Sequence, residues 1–241
     1  KALKEQSEKN LHFFINEIEF WNKIRHPNIV QFLGISIKNN KLYIIIQKIN
    51  GTDLKDYILC NKNLNIKKRI YIISQLSLIL KFLHNSKPSV IYTDLKPENI
   101  LIENNKVYLT DFGLCQFIPE DKDTLLPGNI GTLRYMAPEV YNYQNYDCKA
   151  DIYSFGMIIF FIFKQELPFS NFKRNCLGDY FGNCNDYNFS IYNKEIEYLI
   201  KKCITKNVAS RFNIEEAIDF INNINIYKLN YNCLLYLLFN M

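Results

Sequence analysis

The chain has 241 residues, of which 48% are hydrophobic and 22% charged, so we expect a folded globular protein with a sizeable core and not a disordered one. The formal net charge is +5, and the lysines are scattered among acidic residues without a basic stripe, which argues against nucleic-acid binding. Seven cysteines without a CxxC pair and three widely separated histidines argue against a zinc site or a disulfide framework, and favour a reducing, cytoplasmic compartment.

The sequence shows no segment expected to cross a membrane, and the terminal "NYNCLLYLLFNM" is expected to be a last packing helix, with a membrane-touching or partner-binding tail as the alternative. Its first residues do not resemble a signal peptide. The apolar runs "MIIFFIF" (157–163) and "LLYLLF" (234–239) are far shorter than the ~18–20 residues that cross a bilayer. We therefore expect no transmembrane segment.

The first fifth of the chain predicts one helix followed by a β-hairpin. "IVQFLGISI" (29–37) and "KLYIIIQKI" (41–49) are rich in β-branched and aromatic residues and are separated by a polar turn, so they predict two paired strands. An amphipathic helix is expected over residues 8–25, stopped before Pro27. Its apolar residues follow i, i+3, i+4, i+7 spacing: Leu11, Phe14, Ile15 and Ile18.

From about Asp53 the pattern becomes mainly helical. "RIYIISQLSLILKFLH" (69–84) predicts one long helix, and "DIYSFGMIIFFIF" (151–163) is apolar nearly all round, as a central buried helix is. Residues 171–190 have no clean period and predict a loop. The whole pattern indicates an α+β fold with a small sheet-containing front and a larger helical back. Two later stripes predict further helices: Ile196, Leu199, Ile200 and Cys203, then Ile214, Ala217, Ile218 and Ile221.

Two short segments hold side chains suited to phosphate chemistry. "YTDLKPENIL" (92–101) places Asp94, Lys96 and Asn99 in one loop, and "KVYLTDFGL" (106–114) is a strand that delivers Asp111 into a turn. Mg²⁺ prefers hard oxygen ligands, and a hydroxyl nucleophile needs a carboxylate to take its proton. A lysine adds positive charge against a transferring phosphoryl group. Together the segments predict a magnesium–phosphate site.

These two segments closely resemble the catalytic loop and the metal-binding turn of the protein kinases. The resemblance extends over nearly the whole chain, in the order of the family, and implies a bilobal protein-kinase fold. Five further stretches carry it: "FFINEIEFWNKIRHPNIVQFLG" resembles the regulatory helix and following strand, "LYIIIQKINGTDL" the hinge, "GTLRYMAPE" the substrate-docking loop, "DIYSFG" the central helix and "SRFNIEEAI" the late arginine-containing helix.

The resemblance implies a division of the chain into lobes. Residues 1–50 match a partial N-terminal lobe with the regulatory helix and two or three strands, 51–228 a mainly helical C-terminal lobe, and 229–241 a tail or last helix. None of the eight glycines makes a GxGxxG, so we expect an N-terminally truncated lobe that lacks the glycine-rich phosphate loop and binds ATP weakly. The chain is then a clipped piece of an active kinase or a degenerate kinase; the intact polar loop residues favour the first.

Matched positions imply the chemical roles. Asp94 would orient and deprotonate the substrate hydroxyl, and Lys96 would contact the γ-phosphate of ATP. Asn99 and Asp111 would hold Mg²⁺. The expected cofactors are therefore ATP and Mg²⁺.

The resemblance also implies an ion pair that grips the α- and β-phosphates. Glu17 matches the helix glutamate of that pair. We assign its strand lysine to Lys1, which precedes Glu17 by 16 positions, and not to Lys4, which stands too close in the sequence. A solvated N-terminal lysine is the alternative interpretation of Lys1.

The hinge segment implies the adenine contacts. Gln47 to Ile49 would offer backbone N–H and C=O groups to adenine, with Ile46 at the position that guards the back pocket. Asp53 falls where the family often has a ribose-binding polar residue, but a helix N-cap explains it equally well.

Several residues are expected to be structural. Glu139 and Arg211 match the buried ion pair of the family, and Thr132 would bridge Asp94 and Lys96. His84 is interpreted as packing and not as catalytic. Tyr92 replaces the usual histidine before the catalytic aspartate, and we expect it to join an aromatic stack that links the lobes, with Trp21, Phe32 and Phe112.

The motifs resemble the serine/threonine kinases, most of all the tyrosine-kinase-like branch, because of Lys96 and "GTLRYMAPEV" (131–140). Thr93 and Gln116 stand where the family often has cations that dock a phosphate on the activation segment. Activity should therefore not depend on phosphorylation there, for example at Thr124.

Two other functions remain open at this point. A pseudokinase that serves as an interaction scaffold would not respond to ATP, and a small-molecule kinase would generally lack the polypeptide-docking loop found at residues 131–139. The expected partners are protein substrates modified at Ser or Thr and ATP, with regulatory proteins possible in addition.

Overall fold

A computed structural model describes residues 2–6, 11–39, 41–118, 126, 128–170 and 189–224, with the backbone alone for 2–6 and 11–13. Lys1, Thr124, most of the expected loop at 171–190 and the tail from residue 225 lie outside the described residues.

The front of the molecule is a three-stranded antiparallel sheet with one helix. Its elements are β1 (Ala2–Gln6), α1 (Leu11–Lys23), β2 (Phe32–Lys38) and β3 (Lys41–Ile46). The strand order is β1-β3-β2, and β2 and β3 form the expected hairpin. The predicted helix and hairpin are therefore confirmed.

The rest of the described chain is mainly helical with two small antiparallel sheets, β4-β6-β7 and β5-β8. In chain order the elements are β4 (Thr52–Asp53), α2 (Leu54–Cys60), α3 (Ile66–His84), β5 (Val90–Ile91), β6 (Ile100–Glu103), β7 (Lys106–Leu109), β8 (Gln116–Phe117), α4 (Pro138–Tyr141), α5 (Lys149–Lys164), α6 (Lys194–Cys203) and α7 (Ile214–Asn222).

Side-chain caps explain where four of these helices begin. In α2, α3, α6 and α7 the residue before the helix accepts a hydrogen bond from the backbone N–H three positions later, which satisfies one of the free donors at a helix start. The four caps are Asp53, Asn65, Asn193 and Asn213.

Helix α5 forms the centre of the helical lobe. Every residue from Ala150 to Ile162 is buried, as a sequence that is apolar nearly all round predicts. Helix α6 packs closely against it at Gly156, because a Cβ there would lie 2.7 Å from the Cβ of Cys203. None of the described helices is both long enough and apolar enough to cross a membrane.

The two lobes meet along a backbone connection beside β7. Val30 N donates to Leu109 O at 3.0 Å, and Leu109 N donates to Asn28 O at 2.8 Å. Asn28 Nδ2 also donates to Val107 O at 2.8 Å. The turn after α1 is thereby fixed to the strand that leads into Asp111.

Candidate active site

A buried carboxylate on α5 shapes the loop that follows β5. Asp151 is fully buried and accepts hydrogen bonds from the backbone N–H groups of Tyr92 at 2.8 Å and Thr93 at 2.9 Å. Thr93 has φ 70°, an uncommon conformation for a β-branched residue, and Asp94 N donates back to Tyr92 O at 2.9 Å. Asp151 thus holds the strained turn that presents Asp94.

His84 completes this support and corrects one prediction. Its Nε2 lies 2.9 Å from Asp151 Oδ2, and the ring is buried. His84 was predicted to pack, and it does more than pack: it shares the carboxylate that fixes the loop.

The expected polar cluster is present around Asp94. Lys96 Nζ lies 2.5 Å from Asp94 Oδ2, and Thr132 Oγ1 donates to Asp94 Oδ1 at 2.7 Å. Lys96 Nζ also donates to Thr132 Oγ1 at 3.1 Å, so the predicted bridge is confirmed. Asn99 Nδ2 donates to the backbone oxygen of Asp94 at 3.1 Å and to its Oδ2 at 3.3 Å.

The orientation of the Asn99 amide suits a metal ligand. Because its nitrogen faces Asp94, its oxygen points away from that carboxylate and is available as a hard acceptor. Asn99 closes the short 3-10 turn Pro97–Asn99, and its backbone oxygen accepts from Thr110 N at 3.0 Å. Asp111 directly follows Thr110 in the chain. The residues predicted to supply the amide and the carboxylate therefore stand on two hydrogen-bonded backbone segments.

Asp111 occupies a specialised backbone position. Its φ is 62°, and the buried hydroxyl of Tyr92 donates both to its backbone oxygen, at 3.0 Å, and to that of Thr110. Burial raises the pKa of the Tyr92 phenol well above its usual value, so the hydroxyl remains a donor. Tyr92 therefore fixes the turn at Asp111 through one hydroxyl proton shared between the two carbonyls.

The docking loop approaches the catalytic loop backbone to backbone. Gly131 has φ 104°, and a Cβ at this position would lie 2.9 Å from Thr93 O and 3.5 Å from Asp94 Oδ1. Only a residue without a side chain fits here without displacing that carbonyl. The close approach brings Thr132 within reach of Asp94.

The predicted aromatic stack is present. The ring of Phe112 meets that of Tyr92 edge-on at 5.3 Å and that of Trp21 at 4.8 Å, and Trp21 stacks on Phe32 at 6.4 Å. Phe20 was not predicted, yet it stacks on Phe112 at 4.0 Å with an interplanar angle of 8°. The turn at Asp111 is thereby anchored to α1 and β2.

Of the ion pair predicted to hold the α- and β-phosphates, only the glutamate, Glu17, lies among the described residues. Glu17 is buried at 3% exposure, where a carboxylate needs donors or a cation. Lys1 lies outside the described residues. Lys4, the lysine not chosen from the sequence spacing, lies in β1, where it pairs with the fully buried Ile44 of the antiparallel strand β3.

In the described part of the hinge, some but not all of the backbone groups predicted for adenine are free of hydrogen bonds. The N–H of Gln47 donates to Gln31 O at 2.7 Å, so of the two groups only its carbonyl can serve adenine. Within the described residues, neither backbone group of Ile49 takes part in a hydrogen bond. Asp53 caps α2 by accepting from Asp56 N at 2.9 Å, which confirms the N-cap interpretation; its contact with ribose stays a prediction.

The structural ion pair expected further along the chain is confirmed. Arg211 donates to both carboxylate oxygens of Glu139, at 2.5 and 3.0 Å, and both side chains are buried. Arg211 also donates to Thr205 O at 2.9 Å and to Lys149 O at 2.8 Å. It joins three separate backbone segments below the docking loop.

Comparison with known proteins agrees with this arrangement. The family model described as "Protein kinase domain" matches residues 1–220. Among curated proteins, the chain is similar to a probable serine/threonine-protein kinase of Dictyostelium discoideum, with 31% identity over 85% of this chain and 20% of the relative.

Two plant proteins are similar to it as well. "Serine/threonine-protein kinase VIK" of Arabidopsis thaliana is 35% identical over 66% of this chain and 37% of its own length. "CBL-interacting protein kinase 2" of Oryza sativa subsp. japonica is 31% identical over 90% of this chain and 49% of its own length. The chain thus spans from a fifth to a half of the length of these relatives.

Proposed function

This chain belongs to the protein kinase family, and from that premise we propose that it transfers the γ-phosphate of ATP to serine and threonine hydroxyls of protein substrates. The observation that carries the proposal is the hydrogen-bonded cluster of Asp94, Lys96, Thr132 and Asn99. The relatives named as serine/threonine kinases support serine and threonine as the residues that receive the phosphate. The segment "GTLRYMAPEV" (131–140) favours the tyrosine-kinase-like branch of this group.

Asp94 is the group proposed to orient the substrate hydroxyl and accept its proton. Thr132 and Lys96 hold one carboxylate oxygen each, so the carboxylate has little rotational freedom. A base positioned in this way contributes roughly 10²–10⁴-fold to the rate. Lys96, whose ammonium is next to the same carboxylate, is proposed to contact the γ-phosphate and to offset the charge that develops during transfer.

Asn99 and Asp111 are the residues proposed to hold Mg²⁺. The free amide oxygen of Asn99 and the carboxylate of Asp111 are hard ligands of the kind that Mg²⁺ prefers. Mg²⁺ usually keeps several waters and is bound by one or two protein ligands together with substrate phosphates, so these two side chains would be enough. When bound, the ion would neutralise charge on the β- and γ-phosphates.

The lysine that pairs with Glu17 can be identified by experiment. Lys1 is the residue that sequence spacing predicts, and Lys4 is the residue that the β1–β3 register offers. Replacing each separately by Met should raise the Kd of ATP for only one of them, because a methionine keeps the length of the side chain but not its charge. Isothermal titration with ATP and Mg²⁺ measures the difference.

The decisive experiment compares Asp94→Asn with the unchanged full-length protein that contains this chain. We expect the rate of phosphate transfer to a generic Ser/Thr protein substrate to fall about 10²–10⁴-fold while ATP affinity stays unchanged. Asp219→Asn, the same chemical change on the exposed side of α7, is the matched control and should keep full activity.

A second measurement separates an enzyme from a scaffold. Mg²⁺–ATP should raise the melting temperature by the amount that RT ln(1 + [L]/Kd) gives, since it binds only the folded state. If the full-length protein neither transfers phosphate nor gains stability from millimolar ATP, the proposal is overturned and a pseudokinase scaffold takes its place. Transfer to aminoglycosides or choline and not to protein would instead indicate a small-molecule kinase.

The proposal extends to the cellular compartment and to the protein partners. Among the described residues, Cys60, Cys115, Cys148 and Cys203 are free thiols, which suits a reducing cytoplasm. Relatives named CBL-interacting kinases carry a protein partner in their names, and regulatory protein partners are proposed here by that analogy alone.

A further inference from the structure

A cavity lies between the end of α1 and the hinge. Its volume is about 440 Å³, which falls within the roughly 300–1,000 Å³ of sites that bind small molecules. The described residues that line it come from α1, the turn after α1, the start of β2 and Gln47 of the hinge. We call this space the α1–hinge cavity. The residues of the cluster around Asp94 are not among those that line it.

Most of the wall of the α1–hinge cavity is apolar. Trp21 is buried in that wall, and its ring stacks on that of Phe32 at 6.4 Å. The indole N–H of Trp21 has no hydrogen-bond partner among the described residues. Such a wall favours a ligand with an apolar body, because binding removes apolar surface of both from water. Six of the ten described lining residues are apolar: Trp21, Ile24, Pro27, Ile29, Val30 and Phe32.

The polar part of the lining provides a cation that can hold an anionic group. Arg25 is exposed, and its Nη1 donates to the backbone oxygen of Trp21 and to that of Ile24 at 3.1 Å. Its Nε and Nη2 have no partner among the described residues. A guanidinium with two donors to spare matches the two oxygens of a carboxylate. The described lining contains no aspartate or glutamate that would repel such a group.

His26 adds no second charge to the cavity. Burial lowers the pKa of its imidazole, and the charge of Lys106 lowers it further, so the ring is neutral at pH 7. Its Nδ1 accepts from Asn28 N at 3.1 Å, which also needs an unprotonated nitrogen. The two remaining polar residues of the described lining, Gln31 and Gln47, are uncharged. One positive charge, on Arg25, is complementary to one negative charge on the ligand.

We propose that the α1–hinge cavity binds a small apolar molecule that carries one carboxylate. The apolar body lies against the wall that includes Trp21 and Ile24, and the carboxylate accepts hydrogen bonds from Arg25. A ligand here joins the hinge to α1, the helix that carries Glu17. The proposal does not rest on phosphate transfer, since binding can be measured without ATP and without a protein substrate.

Titration with naphthoate tests the proposal in the full-length protein. This probe has two fused apolar rings and one carboxylate, and naphthalene methanol is its matched neutral analogue. The NMR signal of the Trp21 indole N–H, assigned by its loss in Trp21→Phe, reports on the wall of the cavity. We expect a saturable shift of this signal with naphthoate, and a Kd about three- to tenfold higher for the neutral alcohol.

Variants of Arg25 separate the charge from the apolar contact. Arg25→Gln should raise the Kd of naphthoate about three- to tenfold and leave that of naphthalene methanol unchanged, because only the carboxylate loses its partner. Lys38→Gln removes one positive charge from the exposed end of β2 and is the matched control. It should leave both Kd values unchanged.

A second pair of variants tests the location and does not depend on charge. Gln31 lines the cavity and is exposed, so Gln31→Phe should obstruct the space and weaken naphthoate about tenfold or more. Gln31→Ala leaves the space open and should bind the probe like the native protein. The melting temperature of each variant without ligand shows whether it is folded.

Three results would overturn the proposal. The first is the absence of a saturable shift of the Trp21 signal in the folded native protein. The second is equal affinity of native, Arg25→Gln and Gln31→Phe proteins for naphthoate. The third is displacement of naphthoate by Mg²⁺–ATP, because the probe would then occupy the nucleotide site. None of the three bears on the transfer assay with Asp94→Asn, so the two proposals fail separately.

Discussion

At the scale of single residues, Tyr92 answers whether a kinase-like loop needs the usual histidine before its catalytic aspartate. The tyrosine ring meets Phe112 edge-on at 5.3 Å, so it fills the expected place beneath the turn at Asp111. Its hydroxyl adds something that ring packing alone would not give, because it donates to the backbone oxygens of Thr110 and Asp111.

Removing this hydroxyl should weaken the turn. Tyr92→Phe keeps the ring but removes the hydroxyl proton shared by the half-buried carbonyls of Thr110 and Asp111, which we expect to cost about 0.5–1.5 kcal/mol in the free energy of unfolding. The rate of phosphate transfer should fall as well, because Asp111 is held less firmly. Urea denaturation measures the first effect. Tyr57→Phe, whose hydroxyl makes no hydrogen bond with a described residue, is the control; equal stability of the two variants would contradict the argument.

A second residue-scale prediction concerns activation. Thr93 and Gln116 are both uncharged, so neither can pair with the charge of about −2 that a phosphate adds. Thr124→Ala should therefore leave the rate of phosphate transfer close to that of the native protein. Treatment with a phosphatase before the assay is the companion measurement. A large loss of activity in either case would show that another cation docks the phosphate.

At the scale of secondary-structure elements, α5 supports the catalytic loop through one carboxylate. Asp151 accepts from the N–H groups of Tyr92 and Thr93 with different oxygens, so an amide at this position must turn its NH₂ toward a donor. Asp151→Asn should lower kcat by about ten- to a hundredfold, equivalent to roughly 1.4–3 kcal/mol, with little change in the KM for ATP.

Asp147→Asn is the matched control for that experiment. Asp147 is exposed just before α5 and accepts from Lys149 N at 2.7 Å, a role that an asparagine oxygen can also fill. Its activity should be unchanged. If Asp151→Asn were equally active, the loop would hold its strained turn without the carboxylate.

At the scale of the whole molecule, Arg211 connects parts of the helical lobe that are far apart in sequence. It contacts Glu139, Lys149 and Thr205 by hydrogen bonds while fully buried. Arg211→Met should cost about 3–5 kcal/mol of stability, because it leaves the Glu139 carboxylate buried and unpaired. Arg211→Lys should not restore it, since an ammonium cannot reproduce the two-pronged contact.

A paired variant tests whether charge is the cause. Glu139→Gln combined with Arg211→Met removes both charges and should be more stable than Arg211→Met alone in thermal unfolding. If the double variant lost as much as both single changes together, packing and not the buried charge would explain the effect.

The sequence predicts the structural features that depend on residues close to one another along the chain. The β2–β3 hairpin, the buried helix α5 and the contacts among Asp94, Asn99 and Thr132 all follow from local period or motif, while the chemical roles of these residues stay predictions. Asp151 could not be assigned, because its partners lie 58 and 59 positions earlier and an acid in the first turn of a helix has a sufficient local explanation. Phe20 was missed for a similar reason, since it is one apolar residue among many in α1.

The distance between Asp151 and its partners also has a consequence for synthesis on the ribosome. The strained turn at Thr93 is made long before the carboxylate that secures it, so a nascent chain that ends before residue 151 can pair the β2–β3 hairpin but lacks the clamp for its catalytic turn. The proposed phosphate transfer should therefore become possible only late, when α5 has left the exit tunnel, and fragments from premature termination are expected to be inert.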